Sequence, residues 1–360
     1  MVGERGVALP SDMLGLTFQQ LDKRNIEGTA EALASHFAKE FKEDRISDAR
    51  ASLRVICHPE LATFQIKGDS LPPDWRMRAM YLGTDGARAW LKIAKEQVDK
   101  DLERNELSDK ISKMLKNYGP EFRTYVSLGP GDAELDDKVA LELLSGEPTA
   151  QCIPVDVSDG LLWAAVNSLS DRIRIPVGLL ADFEENFKFV SQQVREYAKG
   201  PYLFGLFGNT FGNLDKLEPD FLGQLKLYLA PEDRFMLDVS IVKDDTAAVV
   251  GDVDTSDWSF GKKWFFAHGA ARYLDISTAE IVQHFSNLVK VSLTERENPI
   301  PGTQLLTVSA GNKAFARVRR YRFDKFKQYL RANDFNVDAE LVKCNEPYDV
   351  GLFAVQKNAN

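Results

Sequence analysis

The sequence predicts an α/β fold: a Rossmann-like parallel sheet closed by a C-terminal β-hairpin, with a helical N-terminal region and an inserted cap. Three observations carry this. From Arg123 onward, short apolar runs alternate with amphipathic stretches of helical period, the texture of strands joined by right-handed crossovers. The first of these runs stops at Gly129-Pro130-Gly131, and the next ends on an acid, Asp156. Near the end, two extended runs follow an amphipathic stretch with only a turn between them.

Each element follows from its pattern. Over residues 11–45, Phe18, Leu21, Ile26, Ala30, Leu33, Phe37 and Phe41 recur at near-helical spacing. A short β-like piece at 52–57 precedes a proline loop at 71–74. A long helical pattern then runs over 86–116, interrupted near Asn105. Strands are expected at 123–128, 151–156, 173–177, 202–207 and 234–241, with helices at 134–145, 159–169, 184–198 and 217–228. Residues 244–292 break the rhythm with Trp258, Trp264, Phe265, Phe266 and Tyr273, then a helical run at 277–290, and are read as a cap over the sheet. Paired strands at 303–308 and 314–322 are expected to return to the sheet, before a helix at 323–333 and a hairpin at 337–343 and 350–356. The expected divisions are 1–118, mainly helical; 119–244, a nucleoside-binding core; 245–300, a cap; and 301–360, completing the fold.

Bulk properties narrow the function. The chain has 360 residues, net charge −9 and pI near 5.2, and its densest basic run, Arg317 to Arg322, alternates like a strand face. Tight nucleic-acid binding is not expected. Cys57, Cys152 and Cys344 fit neither a zinc spacing nor a disulfide framework, which points to a reducing cytoplasm. Four histidines argue against a histidine-rich metal site, and neither a membrane-length apolar run nor a signal-peptide pattern is seen.

Two glycines after a strand let the backbone approach a ligand closely, and an acid at the next strand tip can accept from both hydroxyls of a ribose. Gly129 and Gly131 are only the first half of G-x-G-x-x-G, since Glu134 holds the third position, and a tight strand-to-helix turn would give the same glycines. The turn continues through Asp132, Glu134, Asp136 and Asp137. Such a charge suits a helix start but repels a pyrophosphate. A cationic sulfonium is tolerated, so S-adenosylmethionine (SAM) is favoured over NAD. The closing hairpin points the same way, because a dehydrogenase would add another parallel strand. Residues 203–214 (LFGLFGNTFGNL) place Asn209 and Asn213 on a turn after an apolar strand, where open α/β sheets bind ligands, although Gly and Asn also dominate plain surface turns.

Leu-Gly-Pro-Gly (128–131), Val-Asp-Val-Ser (155–158), Ala-Asp-Phe-Glu (181–184), Phe-Gly-Asn-Thr-Phe-Gly-Asn-Leu (207–214) and Leu-Asp-Val-Ser-Ile-Val-Lys-Asp (237–244) occur in order. Together they resemble the histidine-specific, SAM-dependent methyltransferase family of ergothioneine biosynthesis, closely over 120–245 and loosely over 300–357. The resemblance implies a class I methyltransferase sheet and SAM as methyl donor. It implies that Gly129 and Gly131 border the methionine part of SAM, Asp156 holds the ribose, and Asp182 and Phe183 lie near the adenine. Asn213 matches the asparagine that anchors the substrate's amino-acid backbone, with Asn209 beside it as a second substrate-binding candidate. Lys243 and Asp244 match a Lys-Asp pair to which no role is given.

Two family segments lack counterparts. Tyr81-Leu-Gly-Thr-Asp-Gly86 is only a distant echo of the N-terminal tyrosine motif, and Ala314 to Tyr321 stands where a Glu-x-Ser segment reads the imidazole. The expected enzyme is therefore an N-methyltransferase of an amino acid or related small amine other than histidine. An O-methyltransferase of a natural-product intermediate and a SAM-binding protein without methyl transfer are the alternatives. No catalytic residue is assigned and no metal is expected, because the donor is already activated. His268 could be a base or an ordinary hydrogen-bonded histidine; Trp258, Trp264 and Phe265 could be an aromatic wall or cap core. Glu295, Arg296 and Glu297 could line a pocket or end a strand, and Arg317, Arg319 and Arg320 suggest a partly apolar or anionic acceptor.

Overall fold

The computed structural model describes residues 54–58, 77–96, 101–118, 122–243, 250–344 and 348–358. The expected 11–45 helix and 71–74 loop lie outside the described residues, as does Asp244. The elements are β1 (Arg54–Cys57), α1 (Met77–Tyr81), α2 (Gly83–Glu96), α3 (Asp101–Tyr118), β2 (Thr124–Leu128), α4 (Glu134–Gly146), β3 (Gln151–Asp156), α5 (Asp159–Leu169), β4 (Val177–Leu180), α6 (Phe187–Tyr197) and β5 (Tyr202–Leu206). A 3₁₀ turn (Thr210–Asn213), α7 (Glu218–Tyr228), β6 (Arg234–Val242) and β7 (Gly251–Asp252) follow. Then come α8 (Phe260–Leu274), α9 (Thr278–Gln283), α10 (Phe285–Leu288), β8 (Val289–Arg296), β9 (Thr303–Ala310), β10 (Lys313–Arg320), α11 (Phe323–Ala332), β11 (Phe335–Val342) and β12 (Tyr348–Lys357).

The main sheet has eight strands in the order β1-β4-β3-β2-β5-β6-β12-β11. Its first six strands run parallel, and the β11–β12 hairpin joins antiparallel to β6. β2 is central, with β3 and β4 on one side and β5 and β6 on the other. The chain direction across the sheet thus reverses between β2 and β5, which opens a crevice at their carboxyl ends. Strands β2, β4 and β5 are buried at every residue because both faces are covered. Tyr125, Cys152, Leu203 and Met236 face α3, α4 and α5 on one side. Val126, Ile153, Phe204 and Phe235 face α6, α7 and α11 on the other.

Two expectations shift. The strand placed at 173–177 begins only at Val177, since Pro176 has no N–H to give a ladder; before it, Arg174 makes a single bridge to Gln151. The helical run at 277–290 ends at Leu288 and gives way to β8, whose Val289, Val291 and Leu293 alternate inward.

The larger correction concerns β9 and β10. They pair with each other as expected, but they join β8 and β7 in a second, antiparallel sheet of four strands instead of the main sheet. β12 already covers the outer edge of β6. Only Tyr321 reaches β6, donating its N–H to Ser240 at 3.0 Å and accepting from Val242 N–H at 2.8 Å, beyond the last β5 pairing. The second sheet packs on α8 through Phe265, Phe266, Ala267 and Ala270 against Val291, Leu306, Val308 and Phe315.

Candidate cofactor and acceptor site

The crevice at the strand tips is lined by the glycine turn after β2, by Asp156 and Leu161 after β3, by Asp182, Phe183 and Glu184 after β4, and by Thr210, Asn213 and Leu214 after β5. Met77, Arg78, Tyr81 and Trp90 close it from α1 and α2. The turn is anchored where Gly129 N–H donates to Val155 O at 2.8 Å. Gly129 and Gly131 take φ of +63° and +59°, and a Cβ on Gly131 would lie 2.8 Å from Trp90 Nε1. Only glycine leaves the backbone both this conformation and this room.

Asp156 is 4% exposed; one carboxylate oxygen accepts from Ser158 N–H at 2.8 Å, and burial pushes its pKa up to about 7. Asp182 accepts from Glu184 N–H at 3.0 Å and Glu185 N–H at 3.3 Å through one oxygen, and takes the Arg78 guanidinium on the other. Burial raises the pKa of Asp182 against the pull of Arg78, and burial carries Glu184 to about 8. Phe183 packs edge-on to Phe221, with its ring 3.6 Å from where a Gly129 Cβ would stand.

Five predicted cofactor residues, Gly129, Gly131, Asp156, Asp182 and Phe183, therefore line one cavity together with Asn213. The side-chain oxygen of Asn213 is buried there without a hydrogen-bond partner. Asn209 does not join them. Its left-handed backbone (φ +57°) turns its side-chain oxygen onto Ser240 N–H at 2.8 Å, and its own N–H donates to Asp238 at 3.1 Å. Asn209 thus ties the loop to β6 instead of facing a ligand.

The acidic turn is also placed differently from expectation. Asp136 points inward and accepts from Tyr125 and Ser127 hydroxyls, with burial lifting its pKa to about 6. Asp132, Glu134 and Asp137 border a separate surface hollow with Lys138 and Arg172. The acids that line the crevice are instead the strand-tip residues Asp156, Asp182 and Glu184.

Sequence reading missed Arg78, Trp90 and Asp215, and met Tyr81 only as a distant echo of the family's tyrosine motif. No local pattern marks Arg78 and Asp215, which meet across 137 positions. Tyr81 is held as a neutral phenol, its pKa raised first by burial and then by Asp156. The remaining candidates are structural. Trp258 packs on Phe266 and Phe285, while Phe265 abuts Tyr81 and Trp90. Burial lowers the His268 pKa to about 4, and His268 lies outside the crevice lining. Glu295 and Glu297 are exposed at the end of β8. Lys243 donates to Cys344 O at 2.7 Å. Arg319 is buried, pairing with Glu218 at 3.5 Å and donating to Lys216 O at 2.8 Å, and Arg320 lies over the Tyr348 ring. Neither arginine is among the residues lining the crevice.

Residues 79–250 match the model of a family described as histidine-specific methyltransferase, SAM-dependent. The match takes in Tyr81–Gly86 and ends before the second sheet's paired strands. A SAM-dependent methyltransferase from Clostridium acetobutylicum ATCC 824 is similar in structure at 12% identity and TM-score 0.39, over 75% of this chain and 98% of that one. The CcbJ methyltransferase of Streptomyces caelestis gives 11% and 0.38 over 70% and 90%. Magnesium protoporphyrin IX methyltransferase of Synechocystis PCC 6803 gives 10% and 0.42 over 78% and 98%. The search of curated proteins gives no match. Among the described residues, no helix is long and apolar enough to cross a membrane.

Proposed function

We propose that this SAM-dependent methyltransferase, a divergent member of the family that residues 79–250 match, methylates the nitrogen of an amino acid or related small amine other than histidine. The observation that carries the reading is Asn213. A buried carbonyl oxygen without a partner calls for a donor, and the amino group of an amino acid is one. It borders the same cavity as the glycine turn, which puts an amine near the methyl donor.

The crevice fits SAM on its own chemistry. The glycine turn leaves room at Gly131, where a Cβ would collide with Trp90, and Asp156 offers a carboxylate to a ribose. When bound, SAM supplies an activated methyl group on a sulfonium. The chain's residues then have three tasks. Asn213 orients the acceptor, so the gain comes chiefly from alignment. Trp90, Tyr81 and Leu214 exclude water from the cavity. Their apolar surface also favours the neutral amine; for an amine of pKa ~10 in water, neutrality at pH 7 costs about 4 kcal/mol.

The residues of β10 disfavour histidine as the acceptor. The strand Lys313–Arg320 carries neither an acidic nor a hydroxyl side chain with which to read an imidazole. The test is incubation of the purified protein with methyl-labelled SAM and a pool of amino acids and small amines, followed by mass detection. A labelled N-methyl product is expected. Transfer only to hydroxyl groups, or SAM binding with no transfer to any amine, overturns the reading.

A further inference from the structure

We propose that Arg78 is a positioning residue of the cofactor site: its guanidinium clasps the tip of β4 to the loop after β5 and holds the Met77–Glu96 segment, with Tyr81 and Trp90, against the crevice. This rests on SAM occupying that crevice, not on the identity of the acceptor.

The geometry is specific. Arg78 is 6% exposed and pairs with Asp182, with Asp215 at 3.0 Å, with Glu185 at 3.3 Å and with Glu184 at 3.8 Å. Asp215 also accepts from Met77 N–H at 2.8 Å and Arg78 N–H at 3.2 Å, so one carboxylate fixes both the side chain and the start of α1. Asp215 stands two residues after Asn213, and Asp182 lines the crevice at the tip of β4, where the family resemblance implies the adenine. One guanidinium therefore joins the predicted cofactor and acceptor subsites. The α1–α2 segment is in turn packed on the cap, with Tyr81 5.5 Å and Trp90 5.8 Å from Phe265 between ring centroids.

Among the described residues lining the crevice, Arg78 is the only basic one. It faces Asp182, Glu184, Glu185 and Asp215; Lys216 pairs with Glu185, and Asp156 lies across the cavity near Tyr81. Buried carboxylates are tolerated when paired. A planar fork can meet several at once, which an ammonium cannot. Without Arg78, the buried carboxylates of Asp182 and Glu184, both pushed toward the protonated form by burial, lose their cation and depend more on taking up protons. At low pH, protonated carboxyl groups need no cation and the segment can still dock. At high pH they ionise, repel one another and open it.

The experiment is calorimetry of S-adenosylhomocysteine binding to the full-length protein and its Arg78→Met variant from pH 6 to 9. The expected loss of affinity is roughly tenfold or more at about pH 8.5, shrinking to about threefold or less near pH 6. Arg78→Lys should give an intermediate loss with little slope. Arg78→Met/Asp215→Asn, with one carboxylate fewer, should lose less at high pH than Arg78→Met alone. Hydrogen exchange over β2–β6 serves as the folding control and should be unchanged. A loss that does not vary with pH, or an affinity within about twofold of the parent throughout, overturns the proposal. Absence of binding by the parent protein would instead overturn the SAM assignment.

Discussion

The strand-tip crevice and the capping sheet are built from apolar runs of similar length, yet only the crevice declares its purpose locally. Gly129, Gly131, Asp156, Asp182 and Phe183 each sit at the end of a strand, and the sheet order brings those ends together. In the cap, meaning depends on which strand pairs with which. β8, β9 and β10 join β7 in a sheet of their own, and Arg319 and Arg320 of β10 meet Glu218, Lys216 and Tyr348. The crevice is made of backbone turns and single residues at strand tips; the cap is made of long-range partnerships.

The contrast is broken most sharply at Gly131. Gly131→Val adds a side chain at φ +59° and aims it at Trp90 Nε1, 2.8 Å from the new Cβ. Two strain terms of about 1–3 kcal/mol each should lower S-adenosylhomocysteine affinity by about 100-fold or more in calorimetry. Gly223 of α7, with nothing within 4 Å of an added Cβ, is the control, and Gly223→Ala should leave affinity unchanged.

Asp156→Ala comes next. Losing a charged acceptor should cost roughly 1.5–3 kcal/mol, about 10- to 100-fold in affinity. Burial pushes the Asp156 pKa up to about 7, and ribose hydroxyls held as proposed would donate to its ionised form. Affinity in the parent protein should therefore fall as pH drops below 7, by at most about tenfold per unit from this group. Asp156→Asn should lose that slope. A slope identical in both proteins would remove Asp156 from the ribose site.

On the acceptor side the effect should be smaller and separable. Asn213→Ala should raise the acceptor KM by about 5- to 10-fold while SAM affinity stays within about twofold, as expected for one hydrogen bond. Steady-state kinetics with calorimetry decides between this and a cofactor role, in which the two losses would be exchanged.

The smallest effect is on stability. Burial holds Asp156 and Asp238 near 7 and Glu184 near 8 in the folded state, above the unfolded range of about 4. Their contribution is full below the unfolded pKa and is lost as pH rises through 7 to 8. His268, held near 4, acts oppositely, losing stability as pH falls below about 6.5. Thermal unfolding of the ligand-free protein should therefore shift upward by about 2–4 °C between pH 8.5 and 6.5. A downward shift would mean that these carboxylates are solvated.

Much of the fold was legible because strand and helix periods are local properties. β3 and α5 fall at the expected residues, and the β11–β12 hairpin closes the sheet beside β6 as expected. The position of β4 was obscured by Ile173 and Ile175, which extend its apolar run on the wrong side of Pro176. The partners of β9 could not be read, since alternation says which face is buried and not against what. In the site, Asn213 was legible and Asn209 misleading, because both share a Gly-Asn turn and only the three-dimensional fold turns one toward β6. Arg78 was invisible, for its four carboxylates lie more than 100 positions away.

The most direct test sets L-histidine against the amine pool, with the same enzyme and SAM, and follows methylated products by mass. The account predicts an N-methylated amine from the pool and turnover of L-histidine lower by roughly two to four decades, the cost of leaving two buried polar groups unsatisfied. Efficient formation of trimethylhistidine, at a kcat/KM of ~10⁴ M⁻¹s⁻¹ or above, would contradict it.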